Sequence, residues 1–212
     1  GLNHKDIVAR VSDRRLMTEI LLAIGVATER ISQVFTIIDK MERTKVDRSL
    51  DRLIDEAELG TEAAERVLQI CHKSEIEDLC RDFKGHDAVL AHLETLKVYM
   101  KSLEVMGLGS YVQFDPKIVR GLAYYTGIVF EIFDREGDLR AICGGGRYDH
   151  LLELVGGDPM SAVGFGMGDV VVGELLKSRN LYSQEKCKTD LFIVMVGEEQ
   201  RPLALRIAHE KR

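Results

Sequence analysis

Apolar residues recur at helical spacing through the first hundred positions of the chain. The first stripe follows Asp13, a residue type that caps helix N-termini, and ends before Gly25, where a helix-ending glycine is common. The apolar residues of the successive stripes are Leu16, Ile20, Leu21 and Ile24; Ile31, Val34, Phe35, Ile38 and Met41; Val46, Leu50, Leu53 and Ile54; Ala64, Val67, Leu68 and Cys71; and Val89, Leu93, Leu96, Met100 and Leu103. Residues 74–77 (SEIE) fit a capping box, and Gly107 follows the last stripe. The pattern predicts a run of helices, with a small helical subdomain over residues 40–106.

After Gly107 the pattern changes to strands. Fourteen of the 19 glycines lie from Gly107 to Gly173, among short apolar, β-branched and aromatic runs. The predicted strands are residues 111–114, residues 128–133 and 139–143 as an antiparallel hairpin across the turn-forming DREGD, and residues 161–168, which feed a helix from Asp169 through Leu176. Residues 189–196 are interpreted as a fully buried strand of a new unit, followed by a helix start at Pro202. Helices and strands in separate blocks predict the α+β class.

Composition and charge exclude several classes of protein. The 212 residues are 45% apolar and 30% charged, enough for the core of one or two domains. A net charge of −6 argues against a generally basic nucleic-acid coat but allows a local basic patch. No apolar run approaches the about 18 residues of a membrane helix and no secretory signal is visible, so we expect a soluble, unexported protein without a membrane partner. The four cysteines form no CxxC pair and the six histidines show no ligand spacing, so we expect reduced thiols and no metal site.

Three glycine-containing clusters hold residues that could do chemistry. They are RGLAYYTG at residues 120–127, CGGGRYD at residues 143–149 and SAVGFGMGD at residues 161–169. In the first cluster, an arginine beside two tyrosines suits a pocket for phosphate or carboxylate. In the second, three consecutive glycines leave backbone amides free for an anion, or leave room for a flat ligand. In the third, alternating glycines remove side chains from one face of a strand. Each cluster also has a purely structural explanation: an exposed arginine over core tyrosines, a tight turn, and close strand packing. CGGGRYD is neither a P-loop nor a dinucleotide fingerprint.

Taken together and in this order, the clusters resemble the histidyl-tRNA synthetase family. RGLAYYTGIVFE is similar to that family's RGLDYYTGTVFE, GGGRYDHLLELVGG to its GGRYDGL segment, and AVGFGMG to the strand half of class II synthetase motif 3. The resemblance implies part of a class II antiparallel-sheet catalytic domain with a helical inserted subdomain. It places catalytic-domain segments at residues 1–39 and 107–182, the insertion at 40–106, and a linker with the start of an α/β anticodon-binding domain at 183–212.

The resemblance also implies a reaction and its site residues. Histidine is activated by ATP, with Mg²⁺ accompanying the nucleotide, and the histidyl group is then transferred from the adenylate to tRNA(His). The implied roles are α-phosphate binding for Arg120, histidine binding for Tyr124, Tyr125 and Tyr148, and adenylate binding for Gly145, Gly164 and Gly166 with Arg120. No carboxylate is assigned to Mg²⁺. A homodimer and a cytoplasmic or organellar-matrix location are implied as well, and residues 40–106 either contact the tRNA acceptor arm or present a solvated face.

Two positions depart from the family pattern. Ala123 stands where an aspartate is usual, and Val171 stands where motif 3 has an ATP-clamping arginine. The nearest arginines in sequence that could replace it are Arg120, Arg140, Arg147 and Arg179. Val171 favours an alternative, a non-catalytic regulatory or histidine-sensing paralogue, and an unrelated α+β binding domain is a third hypothesis. Because class II motifs 1 and 2 and most of the anticodon-binding domain are not found, we expect a piece of a synthetase that is inactive alone.

Overall fold

A computed structural model describes residues 1–43, 46–136, 139–182 and 191–211 of the chain. The chain divides into two compact units, Gly1–Leu181 and Tyr182–Arg212. The five strands found among these residues all lie in the first unit. Each unit is therefore described by itself.

A five-stranded sheet forms the centre of the first unit. Its strands are β1 (Ile7–Asp13), β2 (Val112–Phe114), β3 (Ile128–Asp134), β4 (Cys143–Tyr148) and β5 (Ala162–Met167), in the spatial order β2-β1-β3-β4-β5. Strand β1 pairs parallel with β2, and all other pairs are antiparallel. Together with the helices, this mostly antiparallel sheet confirms the predicted α+β class.

The register of the sheet places chemically different residues in one row. Arg10 on β1 pairs with Glu131 on β3, Glu131 pairs with Gly144 on β4, and Gly144 pairs with Gly166 on β5. Directly opposed residues of antiparallel strands share a face, so this row lies on one side of the sheet. The row runs from two charged side chains to two positions without side chains, which leaves space above β4 and β5.

Among the described residues, most helices lie between β1 and β2, one lies between β4 and β5, and the others follow β5. They are α1 (Arg14–Ala23), α2 (Ile31–Ile38), α3 (Val46–Asp55), α4 (Thr61–Cys71), α5 (Ile76–Asp82), α6 (Asp87–Val105), α7 (Leu151–Leu154) and α8 (Asp169–Ser178) in the first unit, and α9 (Arg201–Glu210) in the second. The Asp13 carboxylate caps α1 by accepting from the backbone amides of Arg15 (2.7 Å) and Leu16 (3.4 Å). Gly25 and Gly107 take φ values of +88° and +79° after α1 and α6, as the predicted helix ends require.

One hydrophobic core runs through helices α1 to α6. Residues from before position 40, such as Leu16 and Ile20, share it with Leu53, Val67 and Leu93 from the predicted insertion. The core is thus continuous across the predicted boundary at residues 39 and 40, and the domain boundaries stay predictions. On the sheet, a separate cluster joins Ile142, Val171 and Leu175, and so attaches α8.

Three local predictions are wrong. The capping box at residues 74–77 does not form, because α5 begins one residue later and Glu75, at the N-cap, makes no side-chain bond to the helix. The second hairpin strand lies at Cys143–Tyr148 instead of residues 139–143, although the antiparallel pairing is confirmed. The three glycines therefore sit in a strand paired on both sides, so their amides are not the free anion-binding group that one interpretation proposed.

The predicted strand at residues 189–196 is also wrong where it can be assessed. Residues 189 and 190 lie outside the described residues, and residues 191–196 are not in a strand. A strand needs a neighbour for its backbone groups, and the described part of the second unit supplies none. Phe192 and Val196 are 81% and 89% exposed, so the segment is not buried. The helix start at Pro202 is confirmed, with the proline in the first turn of α9.

Of the cysteines, Cys71, Cys80 and Cys143 are free thiols, and Cys187 lies outside the described residues. Burial raises the pKa of the Cys71 thiol to about 12, which makes it a protonated core residue. Within the described ranges, no helix is both long enough and apolar enough to cross a membrane.

The Asp13 cap gives a test of the fold. Replacing Asp13 with Ala removes the carboxylate oxygen that accepts from two backbone amides at the start of α1. We expect the free energy of unfolding of the 212-residue chain to fall by about 1 kcal/mol. Urea denaturation followed by circular dichroism measures this. Glu75→Ala is the matched control, because Glu75 occupies an N-cap without capping, and its change should stay within about 0.5 kcal/mol. Equal losses for the two variants would contradict the capping role.

Candidate active site

The loop before β3 is held in place by an arginine at the start of α1. Arg14 Nη1 donates to the carbonyl oxygens of Val119 (2.9 Å), Arg120 (2.6 Å) and Leu122 (3.0 Å). Its guanidinium carbon lies 4.5 Å from the ring centre of Phe35. Burial lowers the pKa of Arg14, and the Asp39 carboxylate opposes that shift. Arg14 therefore works as a fixed donor that shapes the loop.

Arg120 occupies a strained backbone conformation within this loop. Its φ is +55°, in the left-handed region that residues other than glycine rarely adopt. The amide of the next residue, Gly121, donates to Asp39 Oδ1 (3.0 Å), while Arg14 binds the Arg120 carbonyl. Such strain persists only when the surroundings fix it, and it is common at functional sites. The contacts of the loop therefore fix the direction of the Arg120 side chain.

The Arg120 guanidinium lies against Gly144 of β4. A Cβ atom at residue 144 would lie 2.7 Å from Arg120 Nη1 and 2.9 Å from its Cζ, so the glycine is required for this position. Arg120 Nη1 also forms an ion pair with Glu131 Oε1. Arg120 Nε is buried and has no hydrogen-bond partner within the described ranges. The guanidinium is thus fixed by one carboxylate and retains an unused donor.

Three tyrosines cluster beside Arg120. The ring centres of Tyr124 and Tyr125 are 4.5 Å apart, and Tyr148 lies 5.7 Å from Tyr124 and 6.3 Å from Tyr125. Burial, together with the neighbouring Tyr124, raises the pKa of Tyr125. Its phenol is therefore a neutral hydroxyl near pH 7, able to donate and accept hydrogen bonds.

Two further glycines make room for these rings. A Cβ atom at Gly146 would lie 2.9 Å from Tyr125 Cδ1 and 2.7 Å from the carbonyl oxygen of Ile128. A Cβ atom at Gly164 would lie 2.7 Å from the Tyr148 hydroxyl oxygen. By contrast, nothing lies within 4 Å of a Cβ atom built on Gly166. The glycines of β4 and β5 thus accommodate the aromatic side chains at one end and leave open space at Gly166.

These residues line one cleft of about 450 Å³, which we call the tyrosine cleft. Six of the seven predicted site residues lie in its wall, namely Arg120, Tyr124, Tyr125, Tyr148, Gly164 and Gly166. Gly145, the seventh, is not in the lining, and a side chain there would collide with the Gly164 carbonyl and with Phe165 of β5. Close strand packing explains Gly145.

A network ties the YYTG and GRYD segments together. The Asp149 carboxylate accepts from the Thr126 hydroxyl (2.8 Å) and from Arg147 Nε (2.8 Å), and Arg15 Nε donates to the Thr126 carbonyl (2.8 Å). Hydrogen bonds from Thr126, Ser161 and Arg147 hold the pKa of Asp149 well below its usual value. Asp149 is ionised near neutral pH and holds the ends of β3 and β4 together.

Sequence reasoning missed Arg14, Asp39 and Glu131. Glu131 left a signal, since it is a charged residue in the middle of the apolar strand IVFEIFD and alternation puts it on the face of Val129. Arg14 and Asp39 left none, because each meets the loop from more than 80 residues away in sequence.

The missing motif 3 arginine is not replaced within α8. Val171 is 7% exposed and packs in the cluster with Ile142 and Leu175, so its side chain faces the core. Among the candidate replacements, Arg147 is bound to Asp149, and Arg179 pairs with Asp134 (2.6 Å). Arg179 also pairs with Asp6 (3.2 Å) and Glu136 (2.9 Å).

Comparison with known proteins identifies the family. The mostly antiparallel sheet and its flanking helices have the fold of part of a class II synthetase catalytic domain. A family model described as histidyl-tRNA synthetase matches residues 2–168, and the chain belongs to the histidyl-tRNA synthetase family. It spans about half the length of the curated relatives that it matches.

One curated relative and two solved structures illustrate the match. The chain is 38% identical over 208 residues to the chloroplastic/mitochondrial histidine–tRNA ligase of Arabidopsis thaliana, covering 98% of this chain and 42% of the relative. The histidyl-tRNA synthetase structure from Nostoc sp. PCC 7120 superposes with a TM-score of 0.75 at 20% identity, covering 98% of this chain and 51% of that one. A structure from Bacillus halodurans, described as an ATP phosphoribosyltransferase regulatory subunit/histidyl-tRNA synthetase, gives 0.64 at 20% identity with the same coverage. At these identities the two structures show the fold alone.

The proposed packing at the glycines of β4 and β5 can be tested by measuring the stability of alanine variants. Gly146→Ala places a methyl group against the Ile128 carbonyl, Val129 and Tyr125, and we expect a loss of about 1–3 kcal/mol in the free energy of unfolding. Gly166→Ala is the matched control, because its methyl group enters open space, and it should be neutral or slightly stabilising. Urea denaturation of both variants checks this, and a Gly146→Ala protein as stable as Gly166→Ala would refute the packing.

Proposed function

We propose that the protein to which this chain belongs ligates L-histidine to tRNA(His) through a histidyl-adenylate, using ATP. One observation carries the proposal: a strained, clamped loop holds Arg120 on Gly144, beside three tyrosines in a single cleft. The family membership of the chain and its identity to curated histidine–tRNA ligases support the same reaction.

Arg120 is the residue proposed to stabilise the α-phosphate in the first step, the formation of histidyl-adenylate. A histidine carboxylate oxygen attacks the α-phosphorus of ATP, the bond from that phosphorus to the bridging oxygen breaks, and pyrophosphate leaves with the electron pair. Negative charge grows on the phosphoryl oxygens, so a preorganised guanidinium lowers the barrier, and the ionised carboxylate needs no general base. Glu131 holds Arg120 Nη1, and the Arg120 side chain lines the tyrosine cleft, where the other N–H groups of its guanidinium are the proposed donors to the phosphate.

The tyrosines supply histidine selectivity. Rejection of an isostere depends on buried polar groups that only the correct substrate satisfies. Tyr124, Tyr125 and Tyr148 offer hydroxyl groups on rigid rings within the cleft next to Arg120. The proposed recognition consists of hydrogen bonds between these hydroxyls and the imidazole nitrogens, and of a hydrogen bond that the α-ammonium group of histidine donates to a hydroxyl oxygen.

The adenylate is proposed to lie over β5. The open space above Gly166 and the adjacent Gly164 leave room for a flat base and its ribose. In the second step, a ribose hydroxyl of the 3′-terminal adenosine of tRNA attacks the histidyl carbonyl carbon, loses its proton, and AMP leaves. We assign no step to Mg²⁺, because the described ranges hold no group of three or more His, Cys, Asp or Glu side chains suited to a metal ion.

A regulatory, histidine-binding paralogue is the alternative function. The buried Val171 favours it, since the usual motif 3 arginine is absent, and the Bacillus halodurans neighbour is described as a regulatory subunit or a synthetase. The identity to curated ligases, up to 38% here, favours the enzyme. Complementation of a histidyl-tRNA synthetase deficiency by the complete gene discriminates the two. Failure together with retained histidine binding would support the regulator.

Arg120 gives the central test of the reaction. In the complete gene product, Arg120→Ala should slow histidine-dependent ATP–pyrophosphate exchange about 100-fold or more, because the charge at the α-phosphate is lost. Arg81→Ala is the matched control, because the Arg81 side chain on α5 is exposed and pairs with Asp78 on the same helix, and its exchange rate should equal the wild type. Near-normal exchange by Arg120→Ala would contradict the assigned role.

The chain by itself should be inactive. Its curated relatives are about twice as long, and the tyrosine cleft is open at Gly166, so we expect no histidine-dependent exchange from these 212 residues alone. An exchange assay on the purified chain, beside the complete gene product, measures this. Exchange above background by the 212 residues would contradict it.

A further inference from the structure

A second cleft adjoins the tyrosine cleft at Arg120 and Leu122. This outer cleft has a volume of about 620 Å³, and its lining includes Arg10, Glu131 and Arg140. Arg120 and Leu122 line both clefts, whereas the three tyrosines line only the first. Arg120 thus stands at the junction of two spaces on the same side of the sheet.

The proposed reaction indicates which of the two clefts faces the attacking carboxylate and which faces the leaving pyrophosphate. In phosphoryl transfer the attacking and leaving oxygens lie roughly in line across the phosphorus. With histidine among the tyrosines and the α-phosphate at Arg120, the attack comes from the tyrosine cleft. The leaving pyrophosphate, which is the β- and γ-phosphates of ATP, then points into the outer cleft.

The arginines of the outer cleft differ in whether their guanidinium groups already form ion pairs with carboxylates. Arg10 pairs with Glu42, lies 3.6 Å from the Asp115 carboxylate, and has its guanidinium carbon 4.4 Å from the Phe133 ring centre. Arg120 pairs with Glu131. Arg140 is exposed and makes no hydrogen bond or ion pair in the part of the chain that the structure describes. Its guanidinium is available to an anion that enters the cleft.

The other candidate arginines are placed elsewhere. Neither Arg147 nor Arg179 is part of the outer cleft lining, and both are bound to carboxylates. Position 171 faces the core, so an arginine there would not extend into the cleft from the present backbone. Among the four nearest arginines considered for the motif 3 role, Arg140 alone combines position in the cleft with a free guanidinium in the described structure.

We propose that Arg140 binds the β- and γ-phosphates of ATP and the departing pyrophosphate. A planar guanidinium pairs with phosphate oxygens through two parallel hydrogen bonds, which suits a polyphosphate held at a cleft wall. Leu139 and Ala141, on either side of Arg140, line the same cleft, so the chain before β4 forms that wall. The inference rests on the proposed ligase function and adds the residue that holds the leaving group.

The test compares substrates in the complete gene product. In ATP–pyrophosphate exchange, Arg140→Ala should raise the KM values for ATP and pyrophosphate about 10- to 100-fold, because a charge-assisted contact is lost. The KM for histidine should stay within about twofold. A non-hydrolysable histidyl-adenylate analogue lacks the β- and γ-phosphates, so its affinity should also be unchanged. Arg140→Lys should recover part of the loss through its point charge.

Controls separate this inference from the proposed function. Arg81→Ala, which changes an exposed side chain on α5, should match the wild type in every measurement. A KM for ATP within twofold of wild type in Arg140→Ala, with wild-type exchange intact, would overturn the inference alone. An equal loss of analogue affinity would overturn it too, since the contact would then not be to the β- and γ-phosphates. Absence of histidine-dependent exchange in the wild type would contradict the proposed function, and the inference with it.

Discussion

The Arg120 guanidinium occupies the volume that any side chain at residue 144 would need. This contact sets the position of a positive charge directly on the sheet, with Glu131 as its ion-pair partner and Tyr125 nearby. Other residues hold Arg120 in this position. Arg14 and Asp39 bind the loop and fix Arg120 in a backbone conformation that residues other than glycine rarely adopt. Preorganisation of this kind is what electrostatic catalysis requires, because the charge is in place before the reaction begins.

The glycine clusters act as a steric device. They lie in paired strands, so their backbone amides are largely used by the sheet, and what they supply is missing side-chain volume. Gly144 admits Arg120, Gly146 admits Tyr125, and Gly164 admits Tyr148. Gly166 admits nothing from this chain and so leaves space for a ligand. The three motifs form one unit because each aromatic or cationic side chain from one segment fills space vacated by another.

The departure at position 171 is consistent with this arrangement. Val171 contributes to the core that fastens α8 to the sheet, so the helix keeps its packing without an arginine. The proposed reaction needs a cation for the triphosphate from another element, and the segment before β4 presents Arg140 at the wall of the outer cleft. Loss of a charge on one element and its supply by another is possible because a polyphosphate is recognised by charge and geometry, whichever strand or helix carries the guanidinium.

Most of the helices and strands, and the types of side chain in the site, were predictable from local patterns along the chain. Helical spacing, the Asp13 cap and Gly25 predicted α1, and the order of the three clusters predicted the family and six residues of the cleft. These properties are local: a helix cap or a short motif is read within a few residues. Where local patterns were ambiguous, as in the glycine run of β4 or the apolar segment 191–196, the prediction failed because pairing partners decide whether a strand forms.

Contacts between distant parts of the chain determine how the site is held and which charged side chains are available to a ligand. Arg14 and Asp39 reach the Arg120 loop across more than 80 residues of sequence, and nothing local marks such contacts. The choice among the four arginines likewise depended on their partners. Arg147 and Arg179 form ion pairs with carboxylates, whereas Arg140 has no carboxylate partner among the described residues. Charge availability is a property of three-dimensional neighbours, because an ion pair forms across space and leaves no trace in the spacing of residues along the chain.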